Sequence, residues 1–481
     1  MASYYRLKDN FSLRGWEKLP YAIIEEKSGV AVFVDNKYFN ALNLCNGNID
    51  TSLPLISNDT RKMIQEGVDN GVIEACNPGQ GISEKQKYKY YPVRYVRLVH
   101  WSITGRCNYK CKHCYLSAPD AKYGELTHDE IMRIIPQIKE CGINVVSLTG
   151  GEPLVRTDFL EIVDALLEND IKISQIYSNG YLVNENLLRE LDARKIHPEF
   201  NMSYDGEGWH DWLRGINGAE DAVNRAFSLC RDMGFPTGSE MCIHRLNMHT
   251  IRASVKHLAS LGVKSLKVSS VMDAGDWEKN KENNSLSIKE SYQTYLDYIP
   301  VYYADGMPLS LQMSTFFHAS PSKPDEFRIP EYQADEVSPE NCVCGCARTM
   351  LYISPDGRLM PCMPMAGTSI HDKMPLLTEN TLIDAINKSF WFELVNRRVK
   401  EFFADNEECR NCEYAKHCRG GCRADALRVD QNNYMGKSPS VCELLRGEWP
   451  KKIIEAVKRA KPDAKLGDGN SNFRRYYSYH D

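Results

Sequence analysis

No apolar run in this 481-residue chain approaches the ~20 residues that a helix needs to cross a bilayer. No basic stretch followed by an apolar core opens it either. A membrane span and a secretory signal are therefore not expected, and the chain reads as a soluble cytoplasmic protein. A basic excess is missing too. The 59 Lys and Arg stand against 64 Asp and Glu, a formal net charge of −5 with a pI near 6.2. A general nucleic-acid surface needs a basic face, so no nucleic-acid partner is expected. Hydrophobic content of 42% and charged content of 26% are those of a globular chain. At this length two or three domains are expected rather than one core.

Cysteine is what the chain has in quantity. Seventeen cysteines in a cytosolic protein point to metal or redox chemistry rather than disulfides. Cys107, Cys111 and Cys114 are separated by three residues and then two. Three thiolates hold three corners of a [4Fe–4S] cube and leave the fourth iron open to a small molecule. A structural zinc site or buried inert thiols are the alternatives. Context favours the cube. The motif follows Arg94–Thr104, an apolar, β-branched run of strand character. One unit later the strand-like Val145–Thr149 ends in Gly150-Gly151-Glu152-Pro153, and glycines at a strand end let backbone approach a ligand closely.

From Arg94 the chain alternates strand and helix six times, with strands near 95–104, 144–149, 172–178, 198–204, 238–244 and 265–271. Helical patterns such as Thr127–Cys141 and Ala219–Met233 lie between them, and Thr127 and Glu130 have capping-box spacing. Such alternation implies a parallel sheet covered by helices, in too few units for a closed eight-stranded barrel. Ligands in these folds sit at the carboxyl ends of the strands. There the chain places Asn179-Gly180, then Asn201–Gly206 with the Ser203 hydroxyl and the Asp205 carboxylate on one side, then His210, Asp211 and Arg214.

The second half is denser in thiols. Cys346 and Cys362 flank Gly357, and Cys409-x2-Cys412-x5-Cys418-x3-Cys422 precedes a last Cys442. Two zinc knuckles are the alternative reading. Cys45, Cys76, Cys141, Cys230 and Cys242 stand singly on predicted helices or strands and read as buried structural thiols. At the N-terminus, residues 21–35 read as two strands joined by a tight turn at Lys27–Gly29. Helices are expected over Lys37–Cys45 and Asp59–Asn70, the latter stopped by Gly71 before a strand or wing. Gln80–Tyr91 reads as a polar linker, and Gly467–Asp481, with its Arg/Tyr-rich end, as a disordered terminus.

The first motif resembles the C-x3-C-x-(aromatic)-C signature of the radical S-adenosylmethionine (radical SAM) enzymes, with His113 at the aromatic position. The second half resembles the seven-cysteine SPASM domain, which carries two auxiliary [4Fe–4S] clusters. The N-terminal pattern resembles the small peptide-binding element of the chaperone used in pyrroloquinoline quinone biosynthesis. Together these resemblances imply an α/β protein. A winged-helix-like α+β peptide-recognition domain is expected over 1–85 and a partial (β/α)6 TIM-like barrel over 92–310. A SPASM domain over 311–448 and a C-terminal helix with a flexible tail over 449–481 complete the expectation.

The same resemblance implies the site. Cys107, Cys111 and Cys114 would ligate the cluster that binds SAM. Gly150, Gly151 and Glu152 would hold the methionine amino group, and Ser203 and Arg214 the ribose and carboxylate. Cys409, Cys412, Cys418 and Cys442 would hold one auxiliary cluster, and Cys346, Cys362 and Cys422 the other. Its fourth ligand would be Cys342 or Cys344, and the spacing of relatives picks out neither. Electrons from a flavodoxin or ferredoxin would release a 5′-deoxyadenosyl radical that cross-links a ribosomally made precursor peptide, gripped by its leader, through a thioether or carbon–carbon bond. Alternatives are an anaerobic sulfatase-maturating enzyme, a peptide epimerase and a non-catalytic Fe–S carrier. Sulfatase-maturating enzymes generally carry Asp directly after the second SPASM cysteine, where this chain has Met363.

Overall fold

The computed structural model describes residues 3–118, 121–332 and 337–467. The N-terminal region builds strands β1 (Tyr4–Leu7), β2 (Phe11–Glu17), β3 (Leu19–Glu25) and β4 (Val30–Phe33), helices α1 (Asn36–Leu44) and α2 (Asn58–Asp69), then β5 (Ile73–Cys76) and β6 (Lys89–Arg94). β1 and β5 pair, while the other four form a sheet in the order β4-β3-β2-β6. Leu13, Ile23, Phe39, Leu42, Ile64 and Ile73 close a small core of their own. The turn at Lys27–Gly29 and both helices stand where the sequence places them, and Asp35 and Ser57 cap the helices by accepting from Tyr38 N and Thr60 N. The linker reading of Gln80–Tyr91 is corrected at its end. Lys89–Arg94 is a strand parallel to β2, because Tyr91 and Val93 are buried and Tyr91 stacks on Trp16 at 5.8 Å.

Six parallel strands follow: β7 (Leu98–Ser102), β8 (Val145–Thr149), β9 (Lys172–Ser178), β10 (Glu199–Ser203), β11 (Thr237–Ile243) and β12 (Ser265–Ser270). They lie side by side in chain order. Between them run α3 (His128–Glu140), α4 (Phe159–Glu168), α5 (Glu185–Ala193), α6 (His210–Arg214), α7 (Ala219–Asp232) and α8 (Ile251–Ser260). The capping box of α3 forms: Thr127 Oγ1 accepts from Glu130 N, and the Glu130 carboxylate accepts from Thr127 N at 2.8 Å. Alternation decides the faces. Val99, Trp101, Val146, Leu148, Phe200, Met202, Met241 and Val268 are buried in the main core with Ile131, Ile134 and Ile138 of α3. The residues between them turn to the lumen.

The parallel run continues past six. After α9 (Ile288–Ala304), β13 (Ser310–Met313) joins β12 in parallel, and β14 (Phe317–Ala319) and β15 (Glu326–Arg328) add antiparallel. At the other edge β16 (Met350–Ile353) lies parallel to β7, and β17 (Leu359–Met360) returns along it. β18 (Lys465–Leu466) pairs with β15, so one 12-stranded sheet runs through barrel and cysteine-rich region. Helix Trp449–Ala460 packs on α9. The tail of 468–481 lies outside the described residues. Cys45, Cys141 and Cys230 are buried, whereas Cys76 and Cys242 are only half-buried, a departure from the structural-thiol reading.

Candidate functional site

Residues Cys107–Cys114 form an irregular loop beyond the carboxyl end of β7. Backbone donors aim at its sulfurs: Tyr109 N reaches Cys107 Sγ at 3.4 Å and Ala118 N reaches Cys114 Sγ at 3.3 Å. Lys112 N donates to Leu213 O at 2.8 Å, which ties the loop to α6. The approach is close, since a Cβ on Gly215 would lie 2.2 Å from Lys110 O. Burial, helped by the neighbouring thiols, pushes the Cys107 thiol up to about 12, and burial raises Cys111 to about 11 against the pull of the Arg214 charge. Thiolates crowded in this way need a cationic partner, so the donor set fits an iron–sulfur cluster. Among the described residues no three His, Cys, Asp or Glu side chains converge on a point that would hold a single metal ion.

Gly150 and Gly151 leave β8 under this loop. A Cβ on Gly150 would stand 2.5 Å from Thr104 O, and one on Gly151 2.2 Å from Arg106 O. Gly151 N and Glu152 N donate to those same carbonyls at 3.0 and 2.9 Å. The turn therefore requires residues without side chains. Glu152 points away, toward β9. Its carboxyl accepts from Asn179 N at 2.7 Å, Ser178 Oγ at 3.0 Å and Leu154 N at 3.2 Å. Burial raises it to about 7 against the pull of those donors. Asn179 continues the chain of contacts, donating from Nδ2 to Asn108 Oδ1 at 2.7 Å. Glu152 and Asn179 thus tie the third strand to the cysteine loop.

At the end of β10 the carboxylate of Asp205 is fully buried. It accepts from Arg214 Nε at 2.7 Å and from Cys242 N at 2.9 Å, and His210 Nδ1 lies 3.1 Å away. Arg214 Nη1 then stands 4.0 Å from Cys111 Sγ. His113 is held neutral, pushed down to about 3 by burial and by the Arg214 charge. Arg214 thus reaches Cys111 from α6, while Gly151 packs against Arg106, the residue before Cys107.

Beside Ser203 the lumen holds residues that sequence reasoning missed, Glu240, Lys267 and Gln312. Ser203 is in register with Glu240, Glu240 with Lys267, and Lys267 with Gln312. These four make a polar row across neighbouring strands. Lys267 Nζ lies 3.2 Å from Glu240 Oε1. His100 and Tyr177 face each other with ring centres 5.7 Å apart. The available signal was a charged or polar residue at every second position of strands otherwise rich in apolar residues.

The C-terminal thiols fall into two sets. Cys344, Cys346, Cys362 and Cys422 act electrostatically on one another. Cys409, Cys412, Cys418 and Cys442 do the same. Burial raises Cys344 to about 12 and Cys418 to about 11. Cys342 stands apart: its sulfur accepts from Arg348 Nη1 at 3.2 Å and Arg398 Nη1 at 3.3 Å.

Comparison with known proteins agrees with this geometry. The profile of the Radical SAM superfamily matches residues 101–258. PqqA peptide cyclase of Gluconobacter oxydans is 26% identical over 380 residues, 78% of this chain and 96% of its own. AdoMet-dependent heme synthase of Methanosarcina barkeri is 24% identical over 359 residues, 71% of this chain and 95% of its own. In fold, the chain resembles Streptococcus suis SuiB bound to precursor peptide SuiA, with a TM-score of 0.64 at 17% identity over 91% of this chain and 99% of that one. It also resembles anSMEcpe with bound AdoMet and Cp18Cys peptide, with a TM-score of 0.54 at 17% identity over 75% of this chain and 96% of that one.

Proposed function

Because residues 101–258 form a radical SAM domain, we propose that this enzyme modifies a ribosomally made precursor peptide, forming a thioether or carbon–carbon cross-link. The observation that carries the reading is the coexistence, on one chain, of the three-thiol loop, the polar row Ser203–Glu240–Lys267–Gln312, and an N-terminal sheet that, among the described residues, ends at β4. The edge offers a leader peptide a strand to pair with. Holding the leader raises the concentration of the core peptide at the lumen. The peptide named in PqqA peptide cyclase and in the SuiA complex supports this substrate class.

Cys107, Cys111 and Cys114 would hold the first cluster. The glycine turn at 150–151 would offer backbone to the SAM amino group, with Glu152 bracing the turn from behind. Ser203 would face the ribose and Arg214 the carboxylate. Cys344, Cys346, Cys362 and Cys422 would hold one auxiliary cluster and Cys409, Cys412, Cys418 and Cys442 the other. When bound, cluster and SAM supply a carbon radical able to take hydrogen from an unactivated C–H bond. The chain's own task is to keep that chemistry enclosed, and the lumen row Ser203–Glu240–Lys267–Gln312 would position the peptide residue beneath it. Met363 weighs against formylglycine formation, since a thioether cannot accept the proton which that reaction releases.

Anaerobically reconstituted protein given dithionite and SAM should release 5′-deoxyadenosine, and alanine at Cys107, Cys111 and Cys114 should abolish it. With a precursor peptide encoded beside the gene, a mass loss of two hydrogens is expected. Loss of sulfur would mean formylglycine, and unchanged mass with altered stereochemistry would mean epimerisation.

A further inference from the structure

Arg214 brings its Nη1 to 4.0 Å from Cys111 Sγ in the cluster loop, and a guanidinium on a flexible stem is useful only if its direction is fixed. Asp205 fixes it. Its Oδ2 takes the Nε–H of Arg214 at 2.7 Å, within an ion pair whose acid is fully buried and whose base is 10% exposed. Asp205 is itself immobile. Oδ1 accepts from Cys242 N at 2.9 Å, and the Asp205 carbonyl accepts from Asn247 Nδ2 at 2.9 Å. Asn247 also donates to Cys242 O at 3.0 Å and accepts from His244 N at 2.7 Å, so the ends of β10 and β11 are locked together. Gly206 permits this packing, for a Cβ there would stand 2.2 Å from Thr250 Oγ1. With its Nε edge engaged, Arg214 turns its terminal nitrogens toward Cys111, 4.0 Å from Nη1. A fork held in this way suits a planar anion such as a carboxylate.

We propose that Asp205 is a positioning residue that aims Arg214 at the carboxylate of the sulfonium cofactor and so confers selectivity for ligands carrying that group. The proposal rests on the radical SAM reading of Arg214. A bystander that merely joined two strands would affect fold and all ligands alike, whereas an aiming residue acts on one functional group of the ligand.

The test is equilibrium binding of SAM and of decarboxylated SAM to the anaerobically reconstituted protein. Wild type should favour SAM by about 100-fold, the scale of a charge-assisted pair in a dry site. Asp205→Asn should cut that preference below about ten-fold while iron content and melting temperature stay close to wild type. An Asp205→Asn protein that keeps the full preference, or weakens for both ligands equally, overturns the proposal. Should Asp205→Asn fail to fold, Asp205→Glu retains the charge but shifts it by one methylene. A reduced preference there supports the assignment, and an unchanged one overturns it. If wild type shows no preference at all, the assignment of Arg214 falls first and this inference falls with it.

Discussion

Three donors reach the carboxyl group of Glu152, from Leu154 N, Ser178 Oγ and Asn179 N, yet burial outweighs them and raises it from 4.5 to about 7. Folded Glu152 therefore keeps its proton where the unfolded chain has lost it. The linked stability is fully present below about pH 4.5 and disappears as pH rises through about 7. The span corresponds to about 3 kcal/mol. Melting wild type and Glu152→Gln at pH 5 and pH 8 should show a steeper loss in wild type; equal slopes would mean that the carboxyl is not the titrating group. The two C-terminal thiol candidates separate at the same scale. Cys344 faces Cys346 and Cys422, whereas Cys342 is hydrogen-bonded by two arginines. Cys344→Ala should lose about a third of the iron expected for three four-iron clusters, and Cys342→Ala essentially none, as read by iron assay after reconstitution. Spacing had left these two open for a physical reason. In an irregular loop the direction of a side chain is set by what packs around it, here Arg348, six residues on, and Arg398, 56 residues on.

Elements were more legible than contacts. The six strands and the helices between them announce themselves through alternating or apolar runs, Thr127 and Glu130 mark a helix start, and each glycine-bearing motif falls at a strand's carboxyl end. β1 and β2 escaped notice. Phe11–Glu17 carries Arg14 and Gly15 in its middle, and its register with β3 shifts between Arg14 and Trp16, so its periodicity is broken. β6 was hidden inside a Lys- and Tyr-rich stretch whose buried face appears only once Trp16 is in place. The edge strand β4 bears directly on the proposed leader binding. Val34 N donates to Tyr21 O at 3.1 Å, and by antiparallel alternation Ala31 turns its N–H group away from β3. Ala31→Pro would remove one outward donor and leave the β3 ladder intact. Its precursor-peptide affinity should drop about ten-fold, as one lost backbone pairing predicts, while 5′-deoxyadenosine release without peptide stays at the wild-type rate. Fluorescence anisotropy of a labelled leader would read the first and chromatography the second. Unchanged affinity would place the leader elsewhere.

For the molecule as a whole, the decisive feature is a pairing that nothing in the local sequence announces. β16, drawn from between Cys346 and Cys362, lies against β7 from Leu98↔Met350 to Trp101↔Ile353. Ser102 Oγ and Tyr352 OH, 250 residues apart in the chain, are hydrogen-bonded at 2.8 Å in the interior. On the far side β13 adds to β12, and the helix Trp449–Ala460 returns to cover α9. The barrel and the cysteine-rich region are therefore two parts of a single sheet and core. A chain cut after residue 309 would expose the ladder groups of β7 and β12 at once, together with the apolar faces that Leu351, Ile353, Leu311 and Met313 now bury. Open edges of that kind recruit other chains. Such a truncation should come out aggregated, whereas full-length protein should unfold in one transition across 98–353. Hydrogen exchange monitored by mass spectrometry provides the check: peptides spanning Leu98–Ser102 and Met350–Ile353 should be protected to within about ten-fold of each other, as members of one cooperative unit are. If the second exchanged a thousand-fold faster, the two regions would be separate folding units, and disturbing the C-terminal cysteines would leave the Cys107–Cys114 loop standing.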